Sequence, residues 1–138
     1  LKGSIEVFQF DHLVELPKNP TTGLPLGRRM HRPLQFVKEV DESTPKLFQA
    51  LCTGELLEEV VFQWYRYVNK GGIEPVFELV AENASLLSIQ PWMPDRNDPQ
   101  AESLQLMERV SLTYEKIRWV WLPKGIEYED AWAAGDSP

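Results

Sequence analysis

A chain of 138 residues, 43% hydrophobic and 25% charged, suits one soluble globular domain that can bury roughly 65–70% of its unfolded surface. A net charge of −7, from 21 acidic and 14 basic residues, argues against nucleic acid as the main partner, because binding phosphates needs clustered Lys and Arg. The single cysteine, Cys52, allows no intrachain disulfide, as in a protein made in a reducing compartment, and no apolar run approaches the ~20 residues that span a bilayer as a helix.

No charged-then-apolar signal pattern opens the sequence, so any export is expected to bypass a standard signal peptide. Leu1-Lys2-Gly3 is an abrupt opening before a strand pattern, and an N-terminal portion is expected to have preceded it.

Residues Ser4 to Leu16 read as a strand. Val7, Phe8, Phe10, Leu13, Val14 and Leu16 place apolar side chains on both alternating faces, so both faces must be covered. Pro17 to Gly27, with three Pro and two Gly, reads as a turn-rich loop. Leu24 and Leu26 fall outside any regular pattern there, which leaves a floppy hairpin tip or an arm that docks on a partner. The longest basic cluster, Arg28, Arg29, His31 and Arg32, reads as a solvated strand end. Met30 to Val40 reads as a second strand, with Leu34, Phe36 and Val40 on one face and Lys38 interrupting it.

Ser43 to Thr53 reads as a helix. Ser43 or Thr44 can cap it, Pro45 suits its first position, and Leu47, Phe48 and Leu51 form an apolar stripe beside Ala50. Gly54 stands where a left-handed C-terminal cap belongs. Cys52 reads as a small packing residue.

Leu56 to Val68 reads as a third strand, closed by the hairpin signal Asn69-Lys70-Gly71-Gly72. The return strand from Ile73 to about Ala84 alternates cleanly. Ile73, Phe77, Leu79 and Ala81 take one face, Glu74, Glu78 and Glu82 the other. Ser85 to Met93 continues as strand with Leu87 and Ile89 inward, and Pro94 to Glu102 is a polar connection. Leu104 to Leu122 is long for one strand. Its apolar residues sit at even positions up to Tyr114 and at odd positions from Ile117, through Trp119 and Trp121. That parity change predicts a bulge or corner near Glu115–Ile117. Tyr128 to Pro138 is small and acidic, with Trp132 as its only large anchor. The whole is expected to be one domain over 1–138, mainly β: two packed antiparallel sheets closing a barrel, with a helix at about 44–53 and an extended loop at about 17–28.

With this pattern in place, a run of short segments resembles the haemolysin-coregulated protein (Hcp) family of bacterial type VI secretion. The carriers are His31-Arg32-Pro33-Leu34, Asp41 to Leu51 (DESTPKLFQAL), Gly54-Glu55-Leu56-Leu57, Trp64-Tyr65-Arg66, Gly72 with Glu74 and Phe77, and Glu82-Asn83-Ala84-Ser85. Glu108 to Tyr114 (ERVSLTY), Ile117-Arg118-Trp119 and Asp130-Ala131-Trp132 complete the set. Their order and spacing over residues 5 to 132 carry the resemblance. It implies a barrel that assembles into a six-membered ring with a wide lumen. Rings would stack into a tube, expelled by a contracting sheath, tipped by a spike protein and able to shelter effector proteins. The subunit would assemble in the cytoplasm and leave through the apparatus. The family usually begins with a further strand and a Gly-rich acidic loop, absent here beyond Leu1-Lys2-Gly3. The short tail after Trp132 implies no C-terminal toxin extension.

A ring needs a head-to-tail interface, and strands apolar on both faces suit one. The candidates for subunit interface or core are Phe8, Phe10, Phe62, Trp64, Tyr65, Tyr67, Trp119 and Trp121. The loop Pro17, Lys18, Asn19, Pro20, Thr21, Thr22, Gly23, Leu24, Pro25 and Leu26 corresponds to the family's extended loop and is the candidate for ring stacking. Glu74, Glu78 and Glu82 line the lumen or face solvent. Catalysis is not expected. Two His and one Cys cannot close a structural zinc site without carboxylates, and no nucleophile elbow, phosphate loop or metalloprotease motif occurs. His12 and Asp11, as strand neighbours, would point to opposite faces. No cofactor, metal, nucleic acid or membrane insertion is expected. The alternative is a monomeric barrel that binds a small ligand or a passenger protein.

Overall fold

The structure, a computed structural model, describes residues 4–101 and 105–131. Leu1-Lys2-Gly3, Leu104, Trp132 and the acidic end at 133–138 lie outside them. The fold is mainly β with one α-helix among the described residues. In chain order come β1 (Val7–Asp11), β2 (Val14–Glu15), β3 (Met30–His31), β4 (Leu34–Glu39), α1 (Thr44–Thr53), β5 (Leu56–Tyr67), β6 (Ile73–Trp92), β7 (Met107–Thr113), β8 (Lys116–Trp121) and β9 (Ile126–Ala131). β2 and β3 form a two-stranded ribbon, and the other strands form a seven-stranded sheet in the order β1-β4-β7-β6-β8-β9, with β5 also on β6.

The chain divides into two compact units, 1–15 with 31–56 and 85–113, and 16–30 with 57–84 and 114–138. In the first, β1, β4, β7 and the end of β6 pair antiparallel. Its buried side chains include Leu34, Val37, Ala50, Leu86, Met107, Val110 and Leu112. The expected strand Ser4–Leu16 is two strands broken at His12-Leu13, and Met30–Val40 is broken at Arg32-Pro33, where proline offers no ladder donor. Lys38 does not interrupt the inward face. It is wholly buried on it, opposite Glu108 of β7, which is also wholly buried.

The two side chains form an ion pair. Lys38 Nζ also donates to Asp41 Oδ1 at 3.0 Å and to the Glu39 carbonyl at 2.9 Å. Thr44 Oγ1 donates to Glu108 at 2.8 Å, so the first residue of α1 is fastened to the sheet. Before the helix, Asp41 accepts from the Ser43 amide and hydroxyl at 2.8 and 2.5 Å. The Ser43 hydroxyl, and then Lys38, hold the Asp41 carboxyl below its ordinary range against the opposing effect of burial. Ser43 itself makes no capping side-chain bond. At the other end Gly54 takes φ +72°, and its amide reaches the carbonyls of Ala50 and Leu51, as the sequence led us to expect. Cys52, expected to pack, is exposed.

In the second unit β5, the start of β6, β8 and β9 pair, around Phe62, Leu79, Val80, Ala81, Ala84, Tyr114, Ile117 and Val120. The hairpin after β5 closes through the Val68 amide on the Gly72 carbonyl at 3.0 Å. Its left-handed residues are Lys70 (φ +72°) and Gly71 (φ +77°), not Asn69. β6 runs 20 residues, well beyond the usual 3–10, and within it Asn83 takes the left-handed φ of +51°. A register shift between Leu86 and Ser88 buries Leu86 and exposes Leu87, contrary to the expectation that Leu87 points inward. The parity change has its predicted cause: the chain leaves strand at Tyr114-Glu115, between β7 and β8. There the Glu115 amide donates to the Glu82 carbonyl at 3.1 Å and Asn83 donates to the Glu115 carboxylate at 3.2 Å. β9 had no counterpart in the sequence reading.

Candidate functional site

Composition left the segment Pro17–Leu26 open between a floppy tip and an arm; it folds on itself. Lys18 pairs with Pro25. The Asn19 amide donates to the Leu24 carbonyl at 2.7 Å, the Gly23 amide to the Asn19 carbonyl at 2.8 Å, and the Leu26 amide to the Pro17 carbonyl at 2.8 Å. Asn19 Oδ1 accepts from the Thr21 and Thr22 amides at 2.8 and 3.1 Å, a side chain closing its own turn. Leu24 and Leu26 stay 64% and 60% exposed. The arm is therefore an ordered hairpin with two leucines offered to solvent.

Its root is tied down. Arg29 grips Asp130 of β9 with Nε on Oδ2 at 2.5 Å and Nη2 on Oδ1 at 2.9 Å, and Nη2 also reaches the Ala131 carbonyl at 3.1 Å. The basic cluster is thus only partly a solvated strand end: Arg28 and Arg32 are exposed, whereas Arg29 is half-buried on Asp130. Arg32 pairs with Glu15 at 2.7 Å and His31 is buried. The half-buried His12 titrates below its ordinary value, through burial first and the nearby His31 second, with Asp11 opposing. Burial first, and then Asp130, push the Tyr114 hydroxyl above its ordinary value.

Of the aromatic candidates, Phe62 is buried, while Phe10, Trp64 and Trp119 are half-buried. Trp64 lies 5.3 Å from Phe77, ring centre to ring centre, and Trp119 stacks on Tyr128 at 6.2 Å. Phe8, Tyr65, Tyr67 and Trp121 are exposed, Tyr67 by 87%. Exposed Val61 continues the outer row of β5, and exposed Ile5 and Val7 accompany Phe8 at β1, an edge strand of its sheet. Ile126 and Tyr128 stand exposed on β9, also an edge strand.

The glutamate face is laced with partners. Arg66 pairs with Glu74 at 2.7 Å, Gln63 donates to Glu78 at 2.7 Å, and Glu82 faces Lys116 and Arg118 at 3.7 and 3.8 Å. Lys116 pairs further with Glu129 at 2.7 Å and Arg118 with Glu127 at 3.9 Å; Glu129 and then Glu82 raise the Lys116 pKa. Opposite charges on adjacent strands make a ladder over β5, β6, β8 and β9.

Among the described residues no group of three His, Cys, Asp or Glu is placed to hold a metal ion. No helix there is long and apolar enough to cross a membrane. A depression in the first unit, lined by Gln9, Asp11, Gln35, Phe36, Val37 and Arg109, offers about 50 Å³, against the roughly 300–1,000 Å³ of small-molecule sites.

These features define a mainly β protein with one flanking helix, solvent-exposed apolar strands and an ordered arm. Residues 1–121 match the family model described as "Type VI secretion system effector, Hcp". The chain is 36% identical over 123 residues to the "Major exported protein" of Pseudomonas aeruginosa, covering 89% of this chain and 72% of that one. Among solved structures it resembles a mutant Hcp1 from the E. coli EAEC 042 pathovar, with a TM-score of 0.83 and 35% identity, covering 94% of this chain and 82% of that one. The secreted protein Hcp3 of P. aeruginosa aligns with a TM-score of 0.72 and 30% identity over 93% and 75% of the two chains. The chain belongs to the Hcp family of type VI secretion proteins.

The sequence reading missed the partners that hold these surfaces in place: Asp130 for Arg29, Glu108 for Lys38, and β9 as a strand. Asp130 was visible only as part of the Asp130-Ala131-Trp132 match, without a role.

Proposed function

We propose that this chain is a structural subunit of the type VI secretion tube, closing into six-membered rings that stack and are expelled by a contractile sheath behind a spike protein. The observation that carries the reading is the exposed apolar surface on regular strands: Val61, Tyr65 and Tyr67 on β5, and Val7 and Phe8 on β1, with exposed Ile5 just before it. Left in water, such side chains cost about 25 cal/mol per Å² relative to burial, and contiguous patches of them mark interaction surfaces. A head-to-tail ring covers two different surfaces of each copy at once. The arm Pro17–Leu26, with Leu24 and Leu26 exposed and its turn already ordered, serves stacking, because an arm that is folded before it docks loses less entropy on docking.

The ladder of Glu74, Glu78 and Glu82 with its basic partners is assigned to the lumen. A wall whose charges are already paired keeps water without holding a passing effector by strong net attraction. The role is mechanical, with no catalytic step, and export follows assembly in the cytoplasm.

Light scattering on purified protein tests the reading. The expected mass is about six times the 15.9 kDa of one chain, and electron micrographs should show rings. A monomer at every concentration and salt would overturn it and favour a monomeric binding module.

A further inference from the structure

The arm is a self-contained unit with a soft joint at its base. Its internal hydrogen bonds end at Leu26. Gly27 follows at φ +129°, a backbone region that residues with a Cβ rarely enter, and a Cβ placed there would meet nothing within 4 Å. Side-chain bulk does not hold Gly27 itself; the chain on either side of the arm is next fixed at the β2–β3 ribbon. Two residues later, Arg29 makes its two parallel bonds to Asp130 and a third to the Ala131 carbonyl, across 101 residues of sequence. The Asp130 side chain is only 13% exposed and that of Arg29 35%, so water screens this pair less than a surface pair. A two-pronged guanidinium–carboxylate contact fixes orientation as well as distance.

We propose that Arg29 and Asp130 are positioning residues, a latch that sets the angle of the arm relative to the β8–β9 hairpin and so presents Leu24 and Leu26 in the direction that a stacked ring requires. This inference rests on the assignment of the arm to ring stacking. Without the latch the hairpin keeps its own fold but swings about Gly27. Each arm of a ring then samples many directions, and simultaneous docking of all the arms loses its entropic advantage.

The test uses the full chain with Cys52→Ser, carrying Arg29→Ala, Arg29→Lys, or the exchange Arg29→Asp with Asp130→Arg. Spin labels on cysteines introduced at Thr22 and Lys124, diluted with unlabelled protein, report the angle of the arm as a distance distribution. Sedimentation and cross-linking between opposite ring faces report rings and stacks. With the native pair, one narrow distance is expected. Arg29→Ala should broaden it severalfold and cut stacking at least tenfold while rings persist. Arg29→Lys, which keeps the charge but not the fork, should fall between, and the exchange should restore part of the narrow distance. A narrow distance with Arg29→Ala would overturn the latch, as would a broad one that the exchange does not narrow at all. Replacing the arm itself separates the two ideas. If arm-less rings still stack, the stacking role fails whatever Arg29 does; if they do not stack but Arg29→Ala rings do, only the latch fails.

Discussion

Lys38 and Glu108 stand directly opposite each other on β4 and β7, both wholly buried and joined as an ion pair. Removing one partner strands the other charge in the core. Lys38→Met or Glu108→Leu alone should therefore cost about 3–5 kcal/mol. The double replacement should be less destabilised than either single one. Urea melts of the three variants measure this, and costs that simply add would show that the two charges are not coupled.

Phe62 and Tyr67 lie on the same strand with opposite fates, one buried and the other 87% exposed. Phe62→Ala should cost about 3–5 kcal/mol of subunit stability. Tyr67→Ala should change subunit stability by no more than about 0.5 kcal/mol yet weaken ring closure. Thermal unfolding paired with sizing reads both. A Tyr67→Ala protein that closes rings with native affinity would remove the outer row of β5 from the interface.

Replacing Asn19–Leu26 by a short glycine-containing turn should leave ring closure intact and abolish stacking and export. Sizing reports the first and cross-linking between ring faces the second. Loss of the rings themselves would move the arm to the interface within a ring.

His12 titrates below its ordinary value of 6.5 in the folded chain. An unfolded chain therefore takes up the proton first as pH falls. Stability that is full above about 6.5 should decline as pH drops below that value and on through the lower folded value. His12→Gln should flatten that part of the curve of melting temperature against pH between about 7 and 5. An unchanged slope would assign the acid limb to other groups.

Cys52 is exposed at the end of α1. It should react with a thiol reagent in the folded protein without prior unfolding, and Cys52→Ser should leave the melting temperature nearly unchanged. Protection that appears only on ring formation would place α1 at a subunit contact.

Local chemistry made part of this structure readable. Pro45 and Gly54 bracket α1 because one tolerates a first helical turn and the other a left-handed cap. Asn69-Lys70-Gly71-Gly72 turns the chain, and the shift of apolar parity marks the break at Tyr114-Glu115. What escaped depends on residues far apart in sequence. Lys38 reads as a polar interruption until Glu108 is placed across from it, and Arg29 reads as one of several surface charges until β9 brings Asp130 beside it. Leu87 reads as inward because alternation carries no sign of the extra residue that turns Leu86 in and Leu87 out. The sequence marked the β5 aromatics as interface or core, and the structure divides them, with Phe62 turned in and Tyr65 and Tyr67 out.

The pairing of β4 with β7 also has a consequence during synthesis. β4 leaves the ribosome about 70 residues before its partner, a delay of roughly 4–14 s at 5–20 residues per second. Through that interval β1 can zip onto one side of β4, but the other side stays open, with Lys38 near its end and only Asp41, of its two carboxylate partners, yet made. That charge, ruinous in a finished core without Glu108, keeps the waiting edge hydrated and discourages it from joining the wrong strand. Arrival of Glu108 cancels the protection at the moment it is no longer needed.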